Sequence, residues 1–396
     1  MKSLKHILGR RNRVLNILVV GNGFDIAHHL PTKYSDFLDF IKAFRNPDDS
    51  EYASFIDALK AGNKWIYSEI DSLIKSNALI DYFLSVYEDR IKEGKKGWID
   101  FESEISVIVQ RFDQTRQFLE ERVSSQDECI RINTKLSNYL VSILAPKTES
   151  SNAIATHLVL SYSLRSLDNQ VMQILDDLNR MTRLLEVYLY EYVEKLDCDD
   201  RIFEIRNKSM DCVLSFNYTD TYKRLYDPQE KAEYCYIHGK AQKNTQEYCN
   251  LVLGIDEYLT DERKDIDNRY VWFKKFYQRI YKHTGSEYLN WIKKIEHTKN
   301  PSRRSTQPKA YIFIYGHSLD VTDKDILAKL ILLDNTKTLI YHHDRDSLAK
   351  QINNLVKVIG EDKLIELTSG EDRRIFFLWS DPALIYPSSS GNNDDK

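Results

Sequence analysis

The chain has 396 residues, of which 42% are hydrophobic and 29% charged, and its formal net charge is −4. This length allows two domains, and the small negative charge gives no overall attraction to nucleic acid. With 13 Gly and 8 Pro among 396 residues, the content of these two residue types is less than half the roughly 12% of average proteins, which excludes a turn-rich β-sandwich, collagen or a disordered chain.

Seven short runs of β-branched and aromatic residues predict strands along the chain. Most of these runs are apolar at consecutive positions, which is the pattern of strands covered on both faces, as in a parallel sheet between helices. The predicted strands are residues 16–20, 212–216, 234–237, 251–253, 311–315, 338–341 and 375–379. The expected fold class is therefore α/β, with a parallel sheet flanked by helices.

Between the first two predicted strands, apolar residues recur at helical spacing. Val171, Leu178 and Leu185 mark one face of such a helix. The block predicts a large helical insertion after the first strand, so that the sheet domain is discontinuous. We assign residues 14–33, 207–262 and 309–386 to the sheet domain, 34–206 to the insertion, 263–308 to a basic helical segment and 387–396 to a disordered tail.

Five of the 13 glycines stand at predicted strand ends, and four segments hold them: VVGNGFD, YIHGK, LVLGID and IYGHSLD. Because the carboxyl ends of parallel strands share one edge, these segments are expected to converge on one crevice. In VVGNGFD a buried strand ends at Gly21 and Gly23 and a helix begins, which aims backbone N–H groups at a phosphate. The complete G-x-G-x-x-G pattern is absent because Ile26 occupies its third glycine position.

Polar residues that are able to take part in catalysis or ligand binding lie beside these glycines. Asn217, at the end of the second predicted strand, can hold a water or a sugar hydroxyl, or serve as a turn residue. His238, directly before Gly239, can transfer a proton, or it can be a structural histidine. Asp25 can accept hydrogen bonds from a ribose, or it can cap its helix. Each of these residues therefore has a catalytic or binding interpretation and a structural one.

The segment YIFIYGHSLDVTDKDI ends a predicted strand and starts a helix at residue 322 or 323. Thr322 with Asp325 three positions later resembles a capping box, which explains those two residues. Capping does not explain Gly316, His317 and Ser318. These three residues are candidates for contact with a ribose or a phosphate.

As a series, the motifs resemble the bacterial abortive-infection AbiH family of phage-resistance proteins, over most of the chain. The motifs are GNGFDIAHHLPTKYSDF, WIDFESEI, SFNYTDTY, YIHGK, LGIDE, FKKFYQRI and YGHSLDVTDKDI. Their order is also similar, more distantly, to the sirtuin-like NAD-binding fold. That fold runs Gly-x-Gly, a Leu or Ile before Pro, an Asn-bearing strand end, His-Gly, and a strand end with Gly-x-Ser-Leu. The matching residues here are Gly21, Gly23, Leu30, Pro31, Asn217, His238, Gly239, Gly316, Ser318 and Leu319.

The resemblance implies a sirtuin-like, Rossmann-type sheet that takes NAD as its substrate. No metal is expected, because the histidines at 28–29 and 342–343 are adjacent in sequence and adjacent residues do not share a face of a helix or strand. It implies that Asn217 and His238 are the catalytic residues. The residues that it places at the nucleotide are Gly21, Asn22, Gly23, Phe24, Asp25, Gly239, Gly316, His317 and Ser318. Sirtuin deacetylases follow His-Gly with four zinc-binding cysteines, whereas this chain has only Cys249 after His238. This departure disfavours deacetylation.

The expected function is therefore that of an anti-phage abortive-infection effector that hydrolyses NAD to ADP-ribose and nicotinamide. One alternative is an effector that binds or cleaves nucleic acid, because residues 274–309 contain ten Lys and Arg and two Glu, with aromatic residues interspersed. A solvated helix face with core aromatics explains the same pattern. Another alternative is a catalytically silent nucleotide sensor.

Partners and compartment follow from composition. No apolar run reaches the roughly 18 to 20 residues that cross a bilayer, and the basic start lacks the apolar stretch of a signal peptide, so we expect a cytoplasmic protein without a membrane partner. Five scattered cysteines predict neither a disulfide framework nor paired zinc ligands, which fits a reducing compartment. The abortive-infection role that the resemblance implies adds a phage-derived trigger as an expected partner. The helical insertion adds a second copy of the chain, as an oligomer contact.

Overall fold

The computed structural model describes residues 14–46, 51–94, 99–121, 164–198, 200–243, 249–259, 261–264, 266–297, 308–381 and 385–387. The chain divides into two compact units. The sheet unit comprises Met1–Pro31, Val193–Lys240 and His283–Lys396, and the helical unit comprises Thr32–Tyr192 and Ala241–Lys282. Several parts of the sequence-based predictions lie outside the described residues: Trp98 of the WIDFESEI motif, residues 122–163 of the expected insertion, 298–307 of the basic segment and 388–396 of the expected tail.

A six-stranded parallel sheet forms the centre of the sheet unit. The strands of the unit are β1 (Leu15–Val20), β2 (Asp200–Ile202), β3 (Cys212–Ser215), β4 (Glu233–Tyr236), β5 (Ala310–Tyr315), β6 (Thr336–His342), β7 (Ile375–Trp379) and β8 (Ile385–Pro387). The order in the six-stranded sheet is β4-β3-β1-β5-β6-β7, and β2 pairs separately with β8. All neighbours in the large sheet are parallel. The prediction of an α/β fold with a parallel sheet is confirmed.

Both faces of the central strand β1 are buried, as its run of consecutive apolar residues predicts. Ile17 and Val19 belong to one core cluster, which also contains Trp291. Leu18 and Val20 belong to a second cluster on the alternate face. Successive side chains of a strand point to opposite faces, so one apolar run supplies both cores. The hydrophobic effect thus places β1 in the interior of the sheet.

Helices make up most of the remaining described structure. In the sheet unit they are α1 (Asn22–Ala27), α8 (Phe203–Arg206), α9 (Thr221–Tyr226), α12 (Tyr288–His297), α13 (Lys324–Ile331), α14 (Arg345–Ile359) and α15 (Glu361–Thr368). In the helical unit they are α2 (Tyr34–Arg45), α3 (Ala53–Gly62), α4 (Lys64–Ile74), α5 (Ala78–Lys92), α6 (Phe101–Glu121), α7 (Leu164–Glu191), α10 (Asp261–Lys264) and α11 (Lys275–Tyr281). Short 3₁₀ helices span Val193–Lys195, Val271–Phe273 and Val321–Asp323. In the described ranges, no helix combines the length and the apolar character needed to cross a membrane.

The prediction of a strand at residues 251–253 is wrong. These residues are buried, but the polar backbone groups of Leu253 bond to a side chain and not to a neighbouring strand. The Leu253 N–H donates to Gln278 Oε1 (3.1 Å), and Gln278 Nε2 donates to the Leu253 carbonyl (3.0 Å). An apolar run of three residues suits a buried loop as well as a strand. Here the side-chain amide of Gln278, in α11, forms the hydrogen bonds that a neighbouring strand would otherwise form. The segment belongs to the helical unit, so residues 207–262 are divided between the two units after Lys240.

The capping box expected at Thr322 and Asp325 does not form. Asp320 caps the 3₁₀ helix Val321–Asp323 by accepting a hydrogen bond from the Thr322 N–H (3.1 Å). The α-helix α13 starts one residue after it, at Lys324. The sequence holds three aspartates within six positions, and local pattern alone could not decide which of them faces the backbone. This outcome leaves Asp323 available for a contact elsewhere in the sheet unit.

Candidate functional site

Four adjacent parallel strands end side by side at the carboxyl edge of the sheet. Strand β1 ends before Gly21, β3 before Phe216, β4 before Ile237 and β5 before Gly316. From β1 the chain continues to β3 and β4 on one side of β1, and later returns to β5 on its other side. This reversal makes the carboxyl ends of β1 and β5 a topological switch point, which is where open α/β sheets bind ligands.

The glycines of the β1 and β5 loops pack directly against one another. The Gly23 N–H donates to the Gly316 carbonyl (2.8 Å), and a Cβ on Gly23 would lie 2.8 Å from the Gly316 Cα. A Cβ on Gly21 would lie 2.7 Å from the Cα of His317. These distances are shorter than real Cβ contacts, so the two loops approach this closely because the glycines have no side chain. The N–H of Gly23 is engaged within the protein, and a phosphate contact for this loop stays a prediction.

Asn217 is fixed against the β1 loop. Its side-chain Nδ2 donates to the Gly21 carbonyl (3.0 Å), and its backbone N–H donates to Ser215 Oγ (3.1 Å). The Ser215 hydroxyl donates in turn to the Asn217 carbonyl (3.1 Å). Asn217 is buried. The structure therefore brings together the asparagine and the double-glycine loop, which are 196 positions apart in the sequence.

Asp25 is buried in the same place, with 1% of its surface exposed. Thr219 Oγ1 donates to Asp25 Oδ2 (2.6 Å), and Thr221 Oγ1 donates to Thr219 Oγ1 (3.2 Å). The other carboxylate oxygen, Oδ1, has no hydrogen-bond partner among the described residues. Among the described residues no side chain caps helix α1, so Asp25 does not take the capping role that the sequence left open.

Burial raises the pKa of Asp25 to about 6, because the charged carboxylate loses its hydration. Hydrogen bonding from Thr219 opposes this effect, and smaller contributions from Thr221 and Asn217 also favour the charged form. The positive charge of Arg224 acts in the same direction. The balance leaves a carboxyl group that titrates close to neutral pH, which is the range in which a general base works efficiently.

Two adjacent cavities open beside this group in the sheet unit. The smaller has a volume of about 10 Å³ and is lined by residues that include Asp25, Asn217 and Thr219. The larger has a volume of about 300 Å³ and is lined by residues that include Leu30 and Glu194. The two cavities share the lining residues Thr219, Asp220, Thr221 and Lys223. The larger one is at the lower end of the size range of small-molecule sites.

Acidic and basic side chains line the larger cavity together. Burial raises the pKa of Glu194 to about 7, and the nearby negative charge of Asp220 acts in the same direction. Asp220 itself accepts hydrogen bonds from Lys240 Nζ (2.6 Å) and from the Tyr236 hydroxyl. The Arg224 guanidinium donates to the Glu194 carbonyl oxygen. The cavity wall therefore carries a charged network rather than a purely apolar lining.

His238 and His317 converge on one carboxylate. His238 Nε2 lies 3.3 Å from Asp323 Oδ1, and His317 Nε2 lies 3.6 Å from Asp323 Oδ2. The Leu319 N–H donates to His317 Nδ1 (2.9 Å), so the neutral ring carries its proton on Nε2, towards Asp323. The ring of Phe216 packs against both imidazoles, with centroid distances of 5.6 and 4.3 Å. All three polar residues are buried.

Asp323 is the residue of this cluster that sequence reasoning missed. It lies six positions after His317, in a segment where the sequence indicates only a helix start. An aspartate near a helix N-terminus is usually a cap, so the local sequence offers no signal for any other role. The contact with His238, 85 positions earlier in the chain, arises only from the packing of the β4 and β5 loops.

The remaining candidates occupy different environments. Phe24 is fully buried, and its ring packs against His28 at a centroid distance of 4.6 Å, so it belongs to the core. Asn22 and Ser318 are exposed. Gly239 follows His238 with a positive φ of 78°. Within the described ranges, no group of three or more His, Cys, Asp or Glu is arranged to hold a metal ion.

The family model of the bacteriophage abortive infection AbiH proteins matches residues 17–342. This match covers most of the chain, from within β1 to the end of β6, and includes every candidate residue named above. The chain belongs to the AbiH family. Membership of this family indicates that the protein has an anti-phage, abortive-infection role. A comparison with curated proteins finds no match.

Proposed function

We propose that this AbiH protein hydrolyses NAD to ADP-ribose and nicotinamide, and so depletes NAD in phage-infected cells. The observation that carries the proposal is the hydrogen bond between Asn217 Nδ2 and the Gly21 carbonyl at the switch point of the sheet. It joins the proposed catalytic amide to the proposed phosphate loop. His238 follows the neighbouring strand β4 at the same edge. This convergence supports a sirtuin-like nucleotide site.

Hydrolysis of NAD requires few catalytic side chains. The nicotinamide of NAD is a cationic leaving group, so its glycosidic bond breaks through an oxocarbenium-like state without a strong acid. We assign to Asn217 the orientation of the attacking water, and to His238 the acceptance of a proton from a ribose hydroxyl. The carboxylate of Asp323 stabilises the imidazolium that forms on His238, because the two groups are 3.3 Å apart in a buried place.

The same proposal assigns the nucleotide contacts. The backbone of Gly21, Asn22 and Gly23 faces the diphosphate, and Gly316 with Ser318 faces the adenosine side. Asn22 and Ser318 are exposed, so both can reach a ligand from the edge of the sheet. The diphosphate contact uses groups other than the Gly23 N–H, because that donor already bonds to Gly316.

A nucleic-acid effector is disfavoured by the surroundings of two lysines in the basic segment. Lys274 is 2% exposed and its Nζ lies 2.8 Å from Glu257. Lys275 is 4% exposed and its Nζ lies 2.6 Å from Glu102. Lysines that are buried in ion pairs do not contact the phosphates of RNA or DNA. Part of the charge pattern that motivated this alternative is therefore internal.

To test the hydrolysis, the purified protein is incubated with NAD, with and without phage lysate. Nicotinamide and ADP-ribose are then measured by chromatography. We expect release of both products with the lysate. The Asn217→Ala and His238→Ala variants should each be slower by a factor on the order of 10² to 10⁴. Asn290→Ala and His343→Ala change exposed residues of the same unit and serve as controls.

The outcomes separate the candidate functions. Intact NAD in the presence of lysate would contradict hydrolysis. Tight binding of NAD without products would instead favour the catalytically silent sensor. Undiminished turnover by His238→Ala would remove His238 from the reaction.

A further inference from the structure

Asp25 carries a carboxylate that the mechanism above does not use. The side chain is 1% exposed, and its Oδ1 has no hydrogen-bond partner among the described residues. Thr219 holds the other oxygen at 2.6 Å, which fixes the direction of the carboxylate. Leaving a buried polar atom unsatisfied costs free energy, so such an atom needs an explanation, of which an ordered water is the simplest.

The space beside Asp25 has the right size for that water. The smaller cavity has a volume of about 10 Å³, and a cavity holds one water when roughly 10 to 15 Å³ is accessible to it. Asp25, Ser215, Asn217 and Thr219 line it with polar groups that a water can bond to. The larger cavity of about 300 Å³ shares lining residues with the smaller one, so a water beside Asp25 is next to the space for a ligand.

We propose that Asp25 is the general base of this site, and that its Oδ1 holds and deprotonates the water that attacks the substrate. The inference rests on the proposed NAD hydrolysis and adds its base. The water oxygen forms a bond to the ribosyl C1′ while the bond from C1′ to the nicotinamide nitrogen breaks. The electron pair of that bond neutralises the pyridinium nitrogen, and the water proton passes to Asp25, which later releases it to solvent.

The position of His238 supports this division of work. His238 does not line either of the two cavities described above, and its Nε2 points towards Asp323. Asp25 and Asn217 both line the smaller cavity, so the orienting amide and the base act on the same water. His238 is therefore not positioned to accept the proton of a water beside Asp25.

Hydrogen bonding and the charge of Arg224 favour the ionised form of Asp25, while burial keeps its pKa high enough for it to accept a proton. Its pKa of about 6 results mainly from burial, which hydrogen bonds and the charge of Arg224 partly offset. Other titratable groups that line the smaller cavity are Asp220, Tyr222, Lys223, Tyr234 and Tyr236. We therefore expect the rate to rise with pH through about 6 as Asp25 loses its proton.

The test measures NAD hydrolysis by Asp25→Asn in the presence of phage lysate, across a pH range of about 5 to 8 that brackets the carboxyl titration. Asparagine keeps the shape and the acceptor for Thr219 but removes the base. We expect kcat to fall on the order of 10² to 10³, with KM within about threefold because the substrate contacts remain. Asp227→Asn is the matched control. Asp227 is also buried in the sheet unit, but both of its carboxylate oxygens accept hydrogen bonds, from the backbone N–H groups of Lys231 and Ala232 and from the Tyr234 hydroxyl.

Two further measurements keep the test decisive if Asp25→Asn folds poorly. The wild-type rate should show an acidic limb near pH 6, and Asp25→Ala should regain activity with added formate, which supplies a small carboxylate to the vacated space. A wild type that is active without this limb would overturn the role of Asp25, as would an Asp25→Asn variant within about threefold of the wild type. Both outcomes leave NAD hydrolysis standing. A wild type that stays inert with lysate would overturn the base together with the hydrolysis.

Discussion

Gly316 combines a backbone conformation and a close contact that together exclude a side chain. Its φ is +67°, in the left-handed region that favours glycine. A Cβ at this position would lie 2.1 Å from the Phe24 N and 2.4 Å from the Gly23 carbonyl carbon. Both neighbours are backbone atoms of the β1 loop, which cannot move aside as a flexible side chain can. The residue therefore sets the distance between the loops after β1 and β5.

The substitution Gly316→Ala should destabilise the protein strongly. We expect a loss of at least about 3 kcal/mol in the free energy of unfolding, since left-handed strain and overpacking each cost on the order of 1 to 3 kcal/mol. Gly370→Ala is the control, because Gly370 has φ +76° but no atom of the described residues lies within 4 Å of the place that a Cβ would take. This control should cost only about 1 kcal/mol. Equal losses in chemical denaturation would show that the close contact is unimportant.

At the scale of elements, the N-terminus of α5 in the helical unit is hydrogen-bonded to α7. Asn77 is fully buried, and its Oδ1 accepts from the Ile80 N–H (3.0 Å) while its Nδ2 donates to the Asp177 carbonyl (3.0 Å). The Ala78 N–H donates to Asp177 Oδ2 (2.9 Å). One asparagine thus caps α5 and also bonds to α7. Such a cap contributes both to its own helix and to the packing between two helices.

Asn77→Ala should cost more than an ordinary cap. We expect a loss of about 2 kcal/mol, because the change removes the cap of α5 together with the side-chain hydrogen bond to α7 at a fully buried position. Asn63 is the comparison residue: it is exposed, and its side chain accepts from the Ile66 N–H at 3.4 Å. Asn63→Ala should therefore cost about 0.5 kcal/mol. Urea unfolding of both variants tests the difference, and the idea fails if Asn63→Ala is the more damaging change.

At the scale of the whole molecule, the basic segment shows that charge in a sequence is not charge on a surface. The chain carries a net charge of −4, while residues 274–309 are strongly basic in sequence. In the structure Lys274 and Lys275 pair with glutamates inside the helical unit. Ion pairs of this kind contribute through their burial, because removing one partner leaves a charge in a poorly hydrated place.

Neutralising these two lysines should affect folding rather than nucleic-acid affinity. We expect Lys274→Gln or Lys275→Gln to lower the free energy of unfolding by about 2 kcal/mol, with the partial exposure of the glutamates reducing the full cost of a broken buried pair. The exposed Lys293 provides the control Lys293→Gln. RNA affinity and its salt dependence should stay unchanged in the Lys274 and Lys275 variants. A reduced salt slope for either would restore the nucleic-acid alternative.

The strands show how far the sequence determines the fold. Residues 16–20 and 311–315 predict strands because most of their residues are apolar at consecutive positions, as expected when both faces of a parallel strand are covered. The structure confirms them as β1 and β5. Residues 251–253 carry the same pattern, yet Gln278 and not a strand bonds to Leu253. A run of three apolar residues records burial but not the identity of the hydrogen-bond partner, which comes from a residue 25 positions away.

For the candidate site too, the sequence predicts one part and the tertiary structure decides the other. The sequence by itself identified the loops, since Gly21, Asn217 and Gly316 follow buried strands and parallel strands share an edge. Only the tertiary structure decided which side chains face one another. It turned Asp323 towards His238 instead of a helix start, and it placed Asp25 beside a cavity of about 10 Å³. Strand formation follows from local apolar pattern, whereas burial of a polar atom depends on packing from all sides, which no local pattern records.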